Sequence, residues 1–278
     1  MTSLVERLGY SPDSRILMIT SESLGSCHAA NAGVYQSLRE GLATSSDLMI
    51  PCPWAREAVS QYRGEDVGVQ LTLNSELDLY RWGPITQAPS LLDGDGGFPR
   101  TVAELWDHGD LDEVRRECRT QIERAILWGF DISHLGTHLG ALALRPEFFD
   151  VYLELALDFR LPLRLPDQSY ERIAGFPFRR IASQEGLVFP DHVVDTDTGD
   201  LISDIRYALG ELPPGVIEIT SRPAIDTPEL RSLLPQWERH TNDYDGLVNN
   251  HDIREELERS GAELIGYRPL RELLRQAI

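Results

Sequence analysis

Residues 15–31, RILMITSESLGSCHAAN, constrain the fold more than any other stretch. Ile16, Leu17, Met18 and Ile19 form a continuous apolar run that stops in Thr20, Ser21, Glu22, Ser23 and Gly25, and a helical pattern follows. A run this short and this abruptly ended predicts a buried strand that delivers polar side chains at its C-terminal end. In parallel α/β architectures the loops after the strands converge on one face, and ligands bind there. Glu22 is therefore the first candidate for chemistry.

The alternation continues along the chain. Residues 29–41 place Ala30, Val34 and Leu38 at i, i+4 and i+8 and end at Gly41, the pattern of an amphipathic helix with a glycine stop. TSSDLMI, residues 44–50, reads as a second strand. PCPWAREAV opens a helix with Pro53 near its first turn, where a missing N–H costs nothing. DVGVQLTL, residues 66–73, is a third strand. Residues 111–129 form a helix with Val114, Cys118, Ile122 and Ala125 on one face, and residues 146–159 form another. Between these two, FDISHL is a fourth strand running into Gly136, Thr137 and His138. LPLRLP, residues 161–166, is a fifth strand with Arg164 in the interior or at the rim. GLVFP, residues 186–190, and GVIEIT, residues 215–220, are the sixth and seventh, the last ending in Ser221, Arg222 and Pro223. Helical patterns over 227–240, 249–260 and 267–277 follow, with a short strand in ELIGY between the last two. About seven strands alternating with helices predict a TIM-like parallel β/α barrel, one domain over residues 1–278.

One connection breaks the rhythm. Residues 74–100 carry no periodicity, and a connection of that length is usually functional or disordered. Tyr80 and Trp82 flank Arg81 there; they either stack on a sugar ring or pin the loop.

Composition narrows the function. A formal net charge of −19 opposes a phosphate backbone and excludes nucleic acid and anionic membrane as partners. No stretch approaches the roughly 20 apolar residues of a membrane span, and MTSLVERLGY lacks the regions of a signal peptide, so a cytoplasmic location is expected. Cys27, Cys52 and Cys118 have no C-x-x-C spacing and predict reduced, packed thiols.

Four strand ends carry polar groups that a barrel would bring together: Glu22 and Ser23, Gln70, His138, and Arg222. Familiar motifs fail. His134 and His138 are four apart, but Leu135 stands where a zincin has glutamate, and the segment reads as strand and loop. Asp93, Asp95 and Glu104 fit three positions of a calcium loop, yet Phe98 sits where the turn needs glycine.

The blocks TSESLG, DLMIPCPWAREAV, DVGVQLTL, SHLGTHLG, LPLRLP and EITSRPA, in this order, resemble the YdjC-like (ChbG/HpnK) carbohydrate deacetylases over most of the chain. The resemblance implies a TIM-like barrel that removes acetyl groups from N-acetylated sugars with a divalent metal, zinc or magnesium. Carried over residue by residue, Glu22 matches an aspartate resembling a catalytic base, and Ser23 replaces a metal-binding aspartate. Gln70 replaces a metal histidine and Gly136 an aspartate, while His134 and His138 match, His138 alone remaining of the usual metal set. Arg222 replaces a histidine thought to act as an acid near the leaving group.

A catalytic zinc site generally takes about three protein ligands and an open position. Arg222 carries a permanent charge and cannot shuttle a proton near neutrality. It is expected to pair with Glu22 or to receive an anionic ligand through its planar fork. The expectation is a polysaccharide-deacetylase-like barrel with a degenerate metal site. Glu22 and Arg222 stand at its reactive centre, with Ser23, Gln70, Tyr80, Trp82, His134 and Arg164 around a small carbohydrate-like ligand. The alternative is an active deacetylase using Glu22 and His138 with a metal completed by other residues. A homodimer is left open.

Overall fold

The computed structural model describes residues 3–194 and 200–276. A short helix α1 (Leu4–Arg7) precedes strand β1 (Arg15–Leu24), followed by α2 (His28–Arg39), β2 (Ser45–Leu48), α3 (Ala55–Gln61) and β3 (Val67–Leu71). The long connection leads to α4 (Val102–His108), α5 (Leu111–Leu127), β4 (Ile132–Thr137) and α6 (Pro146–Phe159). Two short helices, α7 (Glu171–Ala174) and α8 (Phe178–Gln184), precede β5 (His192–Val194), α9 (Leu201–Gly210) and β6 (Gly215–Ser221). Then come α10 (Pro228–Leu233), α11 (Trp237–Val248), α12 (His251–Ser260), β7 (Glu263–Leu264) and α13 (Arg268–Gln276).

The strands form one curled parallel sheet in the order β4-β3-β2-β1-β6-β5, with β7 paired to the lower end of β1. β1 is central because it is apolar on both faces from Ile16 to Ile19. Leu17 and Ile19 point outward with Ile217 and Ile219 and pack on Leu201, Ile205, Leu247 and Ile253 of the covering helices. Ile16 and Met18 belong to a second cluster with Leu4, Val5, Tyr267 and Leu270, which closes the N-terminal end of the barrel with α1 and α13. Each apolar side chain so buried contributes roughly 1.5–3 kcal/mol, so the ends of β1 are fixed by its core.

The structure bears out the barrel but redraws two of its strands. Residues 161–166 are extended and touch β4 through one bridge, Leu135 to Leu163, with the Leu135 amide donating to Pro162 O at 3.0 Å and the Arg164 amide to Leu135 O at 2.8 Å. Residues 186–190 bond back through the Leu163 amide, which donates to Val188 O at 3.1 Å. Proline supplies no amide proton, and Pro162, Pro166 and Pro190 thin both ladders. The registered strand after α8 lies at 192–194, beyond the predicted segment. The predicted helix over 227–240 is two helices, broken at Pro235, and α4 and α9 are helices that periodicity does not disclose.

Candidate functional site

Period-two geometry builds the site. Register pairs Met18 with Glu218, Thr20 with Thr220 and with Ser45, Asp47 with Gly68, and Gln70 with Gly136. Alternate residues of neighbouring strands therefore face the interior together. Thr20 bridges Ser45 (3.0 Å) and Glu218 (2.7 Å) at one level. Glu22 and Gln70 stand above, at the C-terminal rim. Ser23 follows at φ +71°, an uncommon conformation for a residue with a side chain, where β1 bulges against β2.

Glu22 is the electrostatic centre. It is 6% exposed, and both its oxygens are engaged. Oε1 accepts from Arg164 Nη1 and, at 3.3 Å, from Gln70 Nε2; Oε2 accepts from Arg222 Nε at 2.8 Å. Burial alone would push the Glu22 carboxyl up, but the two guanidiniums overrule it and hold the group at about 2. Arg164 also donates to Asp47 Oδ2 at 2.9 Å and lies 3.3 Å from Glu218 Oε1 through Nε. One guanidinium thus serves carboxylates from β1, β2 and β6. Burial pushes the Glu218 carboxyl up despite this partner.

Asp47 occupies space that a side chain at Gly136 would take, because a Cβ there would stand 2.9 Å from Asp47 Oδ2. The carboxylate at this level of the interior comes from β2 instead of β4. Sequence reasoning missed both Asp47 and Glu218, although a lone acid in an apolar strand run was the available signal.

Cavity and candidates largely agree. Glu22, Ser23, Gln70, His138, Arg164 and Arg222 line one cavity of about 1300 Å³ at the C-terminal face, as do Tyr80 and Trp82. His134 does not. It is fully buried below the cavity, stacked on Tyr267 at 3.7 Å between ring centroids, and its Nδ1 lies 2.8 Å from Ser133 Oγ. Its Nε2 lies 2.8 Å from Asp47 Oδ1, out of line for a hydrogen bond. The ring fills the room left by Gly68, where a Cβ would lie 2.5 Å from it. The expected ligand contact of His134 is thus corrected to a place in the interior.

The long connection is held from below. Glu117 on α5 accepts from the amides of Ile85 (3.1 Å) and Thr86 (2.9 Å) and from the Thr86 hydroxyl (2.6 Å). Trp82 is 5% exposed, its indole N–H donating to Asn74 O at 2.8 Å, and the Tyr80 hydroxyl donates to Ser26 O at 2.7 Å. Trp82 therefore pins the loop and borders the cavity at once. Three further groups went unseen in the sequence. Glu76 Oε2 lies 2.9 Å from His138 Nε2, and burial of Glu76, which favours the neutral acid, is outweighed by His138 so that its carboxyl is held low. Behind the lining, the buried Asp243 accepts from the Arg222 amide at 2.7 Å; burial lifts its carboxyl to about 6, and burial with Arg222 pushes His240, which lines the cavity, down to about 4.

Among the described residues no three His, Cys, Asp or Glu side chains are grouped to hold a metal. An ion beside Glu22 would also face two fixed guanidinium charges already bonded to that carboxylate. No helix among the described residues is long and apolar enough to cross a membrane.

Known proteins share this architecture. The chain is 38% identical over 251 residues to a carbohydrate deacetylase of Thermus thermophilus, covering 88% of this chain and 90% of the relative. It is 27% identical to a carbohydrate deacetylase of Thermoanaerobacter pseudethanolicus, over 79% and 85% of the two chains. A solved structure from Enterococcus faecalis V583, of a protein named for cellobiose-phosphate cleavage, shares the fold with TM-score 0.78 at 21% identity, covering 93% of this chain and 99% of the other. The family described as YdjC-like protein matches residues 16–259. The chain belongs to the YdjC-like family.

Proposed function

We propose that this barrel binds a sugar or a closely related ligand over Glu22, Gln70, His138 and Arg222, without metal-dependent deacetylation. The observation that carries the reading is Glu22 clamped by two arginines. A general base needs a proton affinity near the working pH. A carboxylate held at about 2 is an ion at neutral pH and serves as a hydrogen-bond acceptor. Arg222 holds its proton throughout and cannot protonate a leaving amine. What remains suits recognition: Glu22 accepts from ligand hydroxyls, the Ser23 hydroxyl and the Gln70 amide offer neutral partners, and Tyr80 and Trp82 supply aromatic surface for C–H faces.

The 38% identity to a protein named carbohydrate deacetylase favours a second reading, residual hydrolysis by Glu22 and His138 with a metal held by an atypical ligand set. Acetate release from N-acetylated oligosaccharides, with and without added zinc or magnesium, separates the two. The proposal expects calorimetric binding of such a sugar and no acetate under either condition. Metal-stimulated release that disappears in Glu22→Gln would favour the second reading.

A further inference from the structure

We propose that Asp243, which lies behind the cavity lining, is a positioning residue: its carboxyl group fixes the end of β6 so that the Arg222 side chain stands on Glu22 at the rim. This rests on the sugar-binding reading above and adds to it a residue outside the lining. Register carries β6 along β1 as far as Ser21 and Ser221, and beyond them β1 bulges against β2. The Arg222 amide is the first past that ladder, and a backbone amide withdrawn from water needs an acceptor. Asp243 Oδ2 supplies it at 2.7 Å, while Nε of the same arginine donates to Glu22 Oε2 at 2.8 Å.

The backbone that follows is held by main-chain groups. Pro223 has no amide proton, the Ala224 amide donates to His240 O at 3.1 Å, and the Ile225 amide donates to Ala29 O at 3.1 Å. Helix α2 comes this close because Gly33 has no side chain: a Cβ there would lie 2.6 Å from Ala224 Cα. Asp243 is therefore the one side chain among these acceptors, and it acts on the residue of the segment that reaches Glu22. It is 1% exposed, and no hydrogen bond reaches its Oδ1 among the described residues. A carboxyl group buried with a single hydrogen bond is a poor choice for stability alone, since an unpartnered buried oxygen is costly. Asp243 and His240 sit one turn apart on α11, and Arg239 and His240 line the cavity while Asp243 does not. The helix thus forms the wall with one turn and holds the Arg222 backbone with the next. A binding group displaced even slightly loses much of its contact, and such support prevents the displacement.

The test uses the intact chain and follows the Arg222 Nε–H signal by proton–nitrogen correlation NMR, assigned by its absence in Arg222→Lys. Bonded to Glu22, this proton is expected to exchange slowly in the parent and in Asp243→Asn, which keeps an acceptor oxygen and drops the charge. In Asp243→Ala its exchange should quicken at least about tenfold while the Arg164 signals hold. Calorimetric titration with N,N′-diacetylchitobiose should give the same order. Asp243→Ala is expected to weaken binding as much as Arg222→Ala does, the double variant to be no weaker than Arg222→Ala alone, and Asp243→Asn to bind as the parent does. A merely structural role would lower stability without that non-additivity or that rescue. A folded Asp243→Ala that keeps slow Arg222 exchange would overturn the inference, as would losses that add in the double variant or an Asp243→Asn that behaves as Asp243→Ala does. Where Asp243→Ala does not fold, Asp243→Leu, which fills the space without an acceptor, takes its place; a chain that folds with neither makes Asp243 structural and overturns the inference as well. Failure of the sugar to bind the parent overturns the sugar reading and leaves the Arg222 exchange to judge Asp243.

Discussion

Replacing Arg164 by Met removes one guanidinium of similar length and leaves three buried carboxyl groups to their remaining partners. Glu22 keeps Arg222 at 2.8 Å, and Asp47 keeps the misaligned His134 at 2.8 Å. Glu218, already pushed up by burial, loses the cation that counters it. About one uncompensated buried charge remains, and breaking a buried pair from one side costs about 3–5 kcal/mol. That is a large share of the roughly 5–15 kcal/mol that holds a domain together. The pH dependence carries a sign. In the parent, the Glu22 carboxyl lies at about 2, so its contribution is complete above its ordinary 4.5 and is lost as pH falls through about 2. In Arg164→Met the Glu218 carboxyl, already raised by burial, loses the cation that holds it down and rises further, so the variant regains stability as pH falls from neutrality toward 4.5 and the gap between the proteins narrows. Urea unfolding followed by circular dichroism at about pH 7.5 and about pH 5 measures both midpoints, and equal m-values confirm comparable unfolding. A loss below about 1 kcal/mol near neutrality refutes the assignment of Arg164 as the counter-ion of the interior, since even a neutral buried hydrogen bond contributes that much.

Further expectations follow from the loop and the opposite wall. Glu117→Ala leaves the amides of Ile85 and Thr86 without their acceptor and should cost about 2–3 kcal/mol, with limited proteolysis cutting first between residues 83 and 92. Trp82→Ala should cost about 3–5 kcal/mol in the same unfolding assay, because its packing and its bond to Asn74 O are both lost; a stable variant with weakened sugar binding would make Trp82 a ligand contact alone. His240 sits at about 4 against its ordinary 6.5, so the stability it contributes is complete above 6.5 and is lost as pH falls to about 4. His240→Asn should therefore flatten the acid side of the stability curve, and an unchanged slope would show that the imidazole is not held neutral by burial and Arg222.

Much of the fold was legible because β1 is apolar on consecutive positions and polar at its end, a pattern that suits a strand buried on both faces. The same rule placed Glu22, Gln70, His138 and Arg222 at one rim, since each follows an apolar run at the same height. Proline defeated it at 161–166 and 190, where apolar alternation persists without the amide protons a ladder needs. What periodicity cannot express is which partner a side chain reaches across the barrel. Arg164 meets a carboxylate 142 residues earlier, and Glu76 meets an imidazole 62 residues later. Asp47 and Glu218 were visible as acids in apolar strands, yet their number and direction acquire meaning only around Arg164. His134 looked like His138 in sequence and differs from it by facing the interior below the cavity, under the glycine at 68.

We propose that the guanidiniums of Arg164 and Arg222, both bonded to Glu22, leave the cavity rim without a place for a divalent ion. Elemental analysis of the protein purified without chelator, followed by calorimetric titration of zinc and magnesium into it, tests this most directly. The predicted result is substoichiometric metal on purification and no saturable binding of either ion, with weak binding appearing only when Arg164 and Arg222 are both replaced by neutral residues in a protein that circular dichroism shows to be folded. One equivalent of tightly held zinc or magnesium in the parent, lost on His138→Ala, would contradict it.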